Sequence, residues 1–154
     1  SGVGMSSDAY HITAGHPEGE GAARAMLESI ADAGLTTDDI VHLNAHATST
    51  PVGDVAETRA IHRAFGERAN QIPVTATKSM TGHLLGAAGV AEAIFCTLTI
   101  GKNVIPPTTN LENQDPECDL DYTPNVAREV EVKSALSNSF GFGGTNTALL
   151  FKSI

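Results

Sequence analysis

The stretch from Leu84 to Ile100, LLGAAGVAEAIFCTLTI, is apolar or small at almost every position, with one carboxylate, Glu92, in its middle. A helix built from it has no polar face and must be surrounded by protein. Glu92 is then taken out of water, where an unpartnered carboxylate costs several kcal/mol or takes up a proton, so a cation or donor must meet it. Lys78, just ahead of the run, is the candidate. Thr81 reads as the N-cap, which places His83 in the first turn. There the positive end of the helix dipole, with Lys78 nearby, opposes protonation and favours a neutral imidazole able to donate a hydrogen bond. The small residues of the first half and Glu92 itself argue against a membrane span. The run is therefore expected to be one buried central helix.

Around it the chain alternates. Ser1 to Ser7 has apolar residues at alternate positions, as in a strand, and Asp8 to Pro17 is a loop carrying His11 and His16. Gly19 to Ala33 has helical spacing and is stopped by Gly34. Ile40 to Leu43 is a buried-strand core that runs into a polar loop, Ala47 to Asp54. A strand end leading through such a loop to a helix is where open α/β sheets place their sites. Asp54 and Glu57 form a capping-box pattern for a helix that ends near Phe65, before Gly66. Pro73 to Ala76 is a second short strand. Gly101 to Pro124 is too rich in proline for regular structure and is expected to wrap the surface. Val130 to Asn138 and Thr147 to Ile154 read as two final strands joined by SFGFGGTN. The order βαβαβαββ predicts an α/β fold with a mostly parallel sheet and crossover helices. With 154 residues, of which 41% are hydrophobic, residues 1–154 suit one domain.

Several functions are disfavoured. A net charge of −9 with only nine Lys and Arg argues against nucleic acid, and Arg59, Arg63 and Arg68 read as a solvated face. His42 and His46, four apart in a strand, would stand roughly 13 Å apart, too far to share a metal ion. Cys96 and Cys118 lack metal or redox spacing and read as free thiols. GFGGTN precedes a strand and has no P-loop lysine, so it suits a tight turn aiming a backbone N–H at a ligand better than a phosphate cradle. No signal peptide is visible in Ser1 to Tyr10, making a cytoplasmic protein that neither spans nor binds a membrane the expectation. His46, His83, Lys78 and the glycine-rich turn together form a set of donors suited to an oxyanion.

Four segments, NAHATSTPVGD from Asn44, TKSMTGHLLGAAG from Thr77, PPTTNLENQDPECDLDY from Pro106 and SNSFGFGGTN from Ser137, resemble, in this order, the C-terminal half of a β-ketoacyl-[acyl-carrier-protein] synthase of the type II (FabF) kind. The resemblance runs from end to end. It implies the C-terminal βαβαβαββ half of a thiolase-like fold, in an enzyme that works as a homodimer. That enzyme would elongate fatty acids by decarboxylative condensation of a cysteine-bound acyl group with malonyl on acyl carrier protein. It further implies that His46 and His83 belong to a Cys-His-His set, that Lys78 and Glu92 form its supporting ion pair, and that Thr48 and Thr50 contact the phosphopantetheine arm. Phe142 would be the gating phenylalanine, whose backbone N–H completes an oxyanion hole. No cofactor is required, although Asn44, Ala45, Glu92, Ser137 and Asn138 match a structural cation site of some members. The nucleophilic cysteine has no counterpart here and belongs to an N-terminal half outside this chain, so the isolated polypeptide is expected to be inactive. A type II polyketide ketosynthase is the near neighbour. A non-catalytic partner of the chain-length-factor kind is the reading from another class.

Overall fold

The computed structural model describes residues 1–154. Strand β1, Gly2–Ser7, is followed by helix α1, Glu20–Asp32, whose buried Ala22, Ala25, Met26, Ser29 and Ile30 recur at helical spacing. Gly2 and Gly4 let α1 lie directly on β1. A Cβ at Gly4 would stand 1.9 Å from Ala25 O, and one at Gly2 2.1 Å from Ser29 O. β2, His42–Asn44, is fully buried, and α2, Gly53–Phe65, ends at Gly66 as its sequence predicts. After β3, Val74–Thr75, come a one-turn helix, α3, Lys78–Thr81, and the longer α4, Ala88–Lys102. β4, Val104–Ile105, and β5, Arg128–Glu129, form a small antiparallel ribbon. β6, Ser134–Gly141, and β7, Thr145–Lys152, form the final hairpin.

The main sheet has the order β1-β7-β6-β2-β3. β2 runs parallel to β3 and β6, while β7 runs antiparallel to β6 and β1. Four of the five strands therefore share one direction, the mostly parallel sheet expected. Neighbouring residues of β6 point to opposite faces. Leu136 joins the large core with Met26, Ile30, Leu43 and Ile61, under α1 and α2. Ala135 joins a smaller cluster with Cys96 of α4, Ile105 and Val132. The sheet thus lies between α1 and α2 on one side and α4 on the other.

Three expectations are corrected. Residues 130–133 do not extend β6. Val130 N donates to Asn103 O at 3.1 Å and Val132 N to Asn103 Oδ1 at 2.9 Å, so that stretch is tied to the end of α4. Asp54 and Glu57 form no capping box; both carboxylates serve the loop ahead of α2, as described below. α4 is not enclosed within this chain either: Ala88, Glu92, Cys96 and Thr99 are buried, while Leu84, Leu85, Val90, Ile94 and Leu98 are exposed. Val3 and Met5, also exposed, alternate with the glycines under α1 and so face the α4 side of the sheet. Apolar surface of this extent is unusual on a monomer. Analytical ultracentrifugation should find the isolated chain self-associated, with a hydrophobic dye bound to whatever face stays open; a monomer that leaves the dye dark would contradict this.

Candidate active site

The C-terminal ends of the four co-directional strands converge, which is where open α/β sheets bind ligands. His46 lies two residues beyond β2, Lys78 three beyond β3, and Phe142 one beyond β6; the loop from Asp8 follows β1. The His46 and His83 rings lie with centroids 5.6 Å apart at an interplanar angle of 89°. Both line a cleft of about 610 Å³ with Thr48, Thr50, Phe140 and Phe142.

His46 is held from behind. Its N–H donates to Glu57 Oε1 at 2.9 Å, and Ala47 N–H donates to Glu57 Oε2 at 2.8 Å. Asn138 Nδ2 adds a third bond to Glu57 Oε1 at 3.0 Å. Burial pushes the Glu57 carboxyl up, and these donors oppose the rise. Ala47 has φ 28°, a strained value for a non-glycine residue and of the kind that clusters at functional sites. Burial, and then the positive charge of Lys78, holds the His46 imidazole down to about 3, so it is neutral at physiological pH. Its Nδ1 is enclosed without a partner, leaving Nε2 as the nitrogen available to the cleft.

His83 does not open the long helix. α3 ends at Thr81, Gly82 breaks the chain with φ 69° and ψ 177°, and α4 begins only at Ala88. A 3-10 turn, Leu85–Ala87, runs straight into α4, so His83 stands just ahead of the helical run rather than inside its first turn. Leu85 N donates to His83 Nδ1 at 3.3 Å, which leaves the hydrogen of a neutral ring on Nε2. Thr81 bonds backwards to Thr77 O and to Gly82 O and caps nothing.

Lys78 Nζ donates to Glu92 Oε1 in a buried ion pair, as the sequence required. Burial raises the Glu92 carboxyl and Lys78 opposes the rise. Immediately before Lys78, Thr77 Oγ1 donates to Asn44 Oδ1 at 2.9 Å, tying α3 to β2. Glu92 Oε2 and Asn138 Oδ1 are enclosed acceptors with no partner. Free oxygen acceptors of this kind fit a hard cation. The Asn44 carboxamide oxygen, however, is already engaged by Thr77.

Thr48 and Thr50 stand side by side on the cleft wall, their hydroxyl oxygens 3.3 Å apart. Phe142 also lines the cleft, yet it is 81% exposed at the hairpin tip. The phenylalanine against His46 is Phe140, at 5.6 Å between centroids. Neither cysteine has surroundings that favour a thiolate. Cys96 is buried within α4, where desolvation pushes its thiol up to about 12. Burial also raises Cys118, and the neighbouring Asp54, Asp115 and Glu117 add to the rise. A nucleophilic thiol needs the opposite environment. Sequence reading missed Phe140 altogether, and it missed the part that Glu57 and Asn138 play behind His46. Only Glu57 left a signal: it lies three and four residues before Ala60 and Ile61, on the buried stripe of α2.

Residues 1–112 match the description of the β-ketoacyl synthase C-terminal domain. The chain is 55% identical over 151 residues to 3-oxoacyl-[acyl-carrier-protein] synthase 2 of Staphylococcus aureus, a match covering 98% of this chain and 38% of that protein. Among solved structures, it superimposes with a TM-score of 0.97 at 36% identity on a chain from a type II PKS acyl-carrier protein in complex with its ketosynthase bound to the hexaketide. That likeness covers 99% of this chain and 38% of the other. A β-ketoacyl synthase from Burkholderia phymatum gives 0.91 at 42% identity, over 99% of this chain and 36% of that one. The fold that brings these four strand ends together is thus shared with thiolase-like ketosynthases, and the chain belongs to the β-ketoacyl synthase family as its C-terminal domain.

Proposed function

We propose that this chain supplies the two-histidine part of a ketosynthase that extends fatty acids by decarboxylative Claisen condensation of an acyl thioester with malonyl-[acyl-carrier-protein]. The observation that carries the reading is the pair of imidazoles 5.6 Å apart in one cleft. As the malonyl carbon–carboxylate bond breaks, its electron pair passes to the α-carbon and negative charge gathers on the thioester oxygen. The Nε2–H groups of His46 and His83 donate to that oxygen, each in the manner of an oxyanion-hole donor. A neutral His46 is suited to this, because its Nε2–H donates a hydrogen bond while the ring brings no charge of its own into the buried site. Lys78, paired with Glu92, adds positive potential beside it. Thr48 and Thr50 flank the phosphopantetheine arm. The backbone N–H of Phe142 faces the acyl thioester, and Phe140 packs on His46 behind it. Glu92 and Asn138, with Asn44, Ala45 and Ser137, would hold a structural cation, whose role is to fix that corner of the site.

The nucleophilic cysteine, and with it the covalent acyl intermediate, belongs to an N-terminal portion of the kind carried by the longer relatives. Partners of the reading are acyl carrier protein, that N-terminal portion and a second subunit in a cytoplasmic homodimer. Identity of 55% to a fatty acid synthase enzyme, against 36% for the polyketide neighbour, favours the fatty acid branch. Retention of both histidines disfavours a non-catalytic chain-length-factor role.

The test places the chain in a synthase of full family length. His46→Ala and His83→Ala should each lower malonyl decarboxylation by about 10²–10³-fold, and a labelled acyl thioester should leave Cys96 and Cys118 unlabelled. Undiminished decarboxylation in either variant would overturn the proposal.

A further inference from the structure

The loop after β4 opens with Pro106, Pro107, Thr108 and Thr109, a segment with no part in the chemistry so far. Prolines offer no backbone N–H, so Pro106 only accepts, from Thr75 Oγ1 at 2.9 Å, and the two threonines make the contacts to Ala76 and α3. Thr108 Oγ1 accepts from Ala76 N at 3.0 Å. Thr109 holds Ser79 twice: its N–H donates to Ser79 Oγ at 2.9 Å, and its hydroxyl donates to Ser79 O at 3.1 Å. Ala76 and Ser79 bracket Thr77 and Lys78, and Ser79 is the second residue of α3.

A helix of one turn does not hold itself, because fixing its dihedrals is repaid by very few internal bonds. Its own backbone bonds are few, Gly82 N to Lys78 O at 2.9 Å and Met80 N and Thr81 N to Thr77 O at 3.0 and 3.3 Å, and neighbours on two sides add to them. Behind it, Asn44 accepts from Thr77; on the loop side stand Thr108 and Thr109. Lys78 opens this turn and His83 follows it by two residues, so any shift of α3 moves both groups together. The catalytic geometry of His83 against His46, and of Lys78 against Glu92, therefore passes through Ser79.

We propose that Thr108 and Thr109 are positioning residues for decarboxylation, clamping α3 so that Lys78 and His83 stand correctly against Glu92 and His46. This rests on the proposed function. Displacement of a reacting group by about 1 Å can cost on the order of a hundredfold in rate, whereas loss of one half-buried hydroxyl contact leaves the fold in place.

The experiment uses Thr109→Val, which keeps shape and backbone donor but removes the hydroxyl, with Thr109→Ser as the conservative variant and Ser79→Ala acting from the other side. In a synthase of full family length, Thr109→Val should lower kcat for malonyl decarboxylation by about tenfold and leave KM unchanged. Thr109→Ser should restore the rate, and combining Thr109→Val with Ser79→Ala should cost no more than the worse single change. Acyl transfer to the nucleophilic cysteine, which does not use the His83 turn, should keep its rate. Normal decarboxylation in both Thr109→Val and Ser79→Ala would overturn the clamp, as would equal loss of both steps. His83→Ala separates the two levels. If it leaves decarboxylation intact, the functional reading fails; if it abolishes decarboxylation while Thr109→Val has no effect, only the clamp fails.

Discussion

Replacing Lys78 with methionine is expected to lower the unfolding free energy by about 3–5 kcal/mol, because removing one member of a buried ion pair strands the other. Both side chains are enclosed, Lys78 at 5% and Glu92 at 3% exposure. Glu92 is already pushed up by burial, with Lys78 the main opposing influence, and its Oε2 has no partner. Without Lys78, Glu92 must be protonated or the fold must open. A surface pair such as Lys133 with Glu131, at 68% and 72% exposure, would cost less than about 1 kcal/mol by the same operation. Joining Lys78→Met to Glu92→Leu leaves no charge stranded and should recover most of the lost stability in urea unfolding. Decarboxylation should stay low in the double variant, because the positive potential beside the histidines has gone. If the double variant unfolds as readily as the single one, lost packing rather than an uncompensated charge accounts for the effect.

What the sequence foretold and what it concealed follow from the range of the forces involved. The Lys78–Glu92 pair was legible because a carboxylate in an apolar run has to find a cation, and Lys78 lies just ahead of that run. The glycine stops at Gly34 and Gly66 and the parallel core strands are local or periodic signals, and they survive folding. The start of α4 was not legible. Ala87, its N-cap, makes no side-chain cap bond, and the break sits instead in Gly82 with φ 69° and Leu85 with φ 52°, positions that the run of small residues does not mark. Glu57 looked like a cap because capping boxes are local, whereas its actual donors come from His46, Ala47 and Asn138 in other elements. Phe140 and Phe142 are two apart in one hairpin, and which of them meets His46 depends on where β6 ends. The outer face of α4 illustrates the same limit at larger scale. Its composition demands cover, and nothing within these 154 residues supplies it.

Mild acid should loosen this fold through a residue outside the chemistry. His42 is 1% exposed in the middle strand β2. Its Nε2 stands 3.1 Å from Thr75 Oγ1, whose own hydrogen goes to Pro106 O at 2.9 Å. Thr75 therefore accepts, His42 carries its hydrogen on Nε2, and Nδ1 is enclosed with no partner. A proton on Nδ1 would be a buried, unpaired charge, and desolvation accordingly holds the group down to about 4 from 6.5. The unfolded chain thus binds a proton near pH 6.5 that the folded chain refuses until near pH 4. The stability conferred by the neutral ring is complete above about pH 6.5 and is lost as pH falls towards about 4, some 3 kcal/mol in all and about 2 of it by pH 5. His46, held down to about 3, pulls in the same direction. Glu57 and Glu92, raised by burial, pull the other way, because they take up protons more readily when folded. His42→Gln, neutral at every pH and able to donate to Thr75, isolates the one contribution. Between pH 7 and pH 5, urea unfolding of this variant should lose about 2 kcal/mol less than the unchanged chain does. Parallel pH profiles would mean that His42 is protonated in the fold, with a partner for Nδ1.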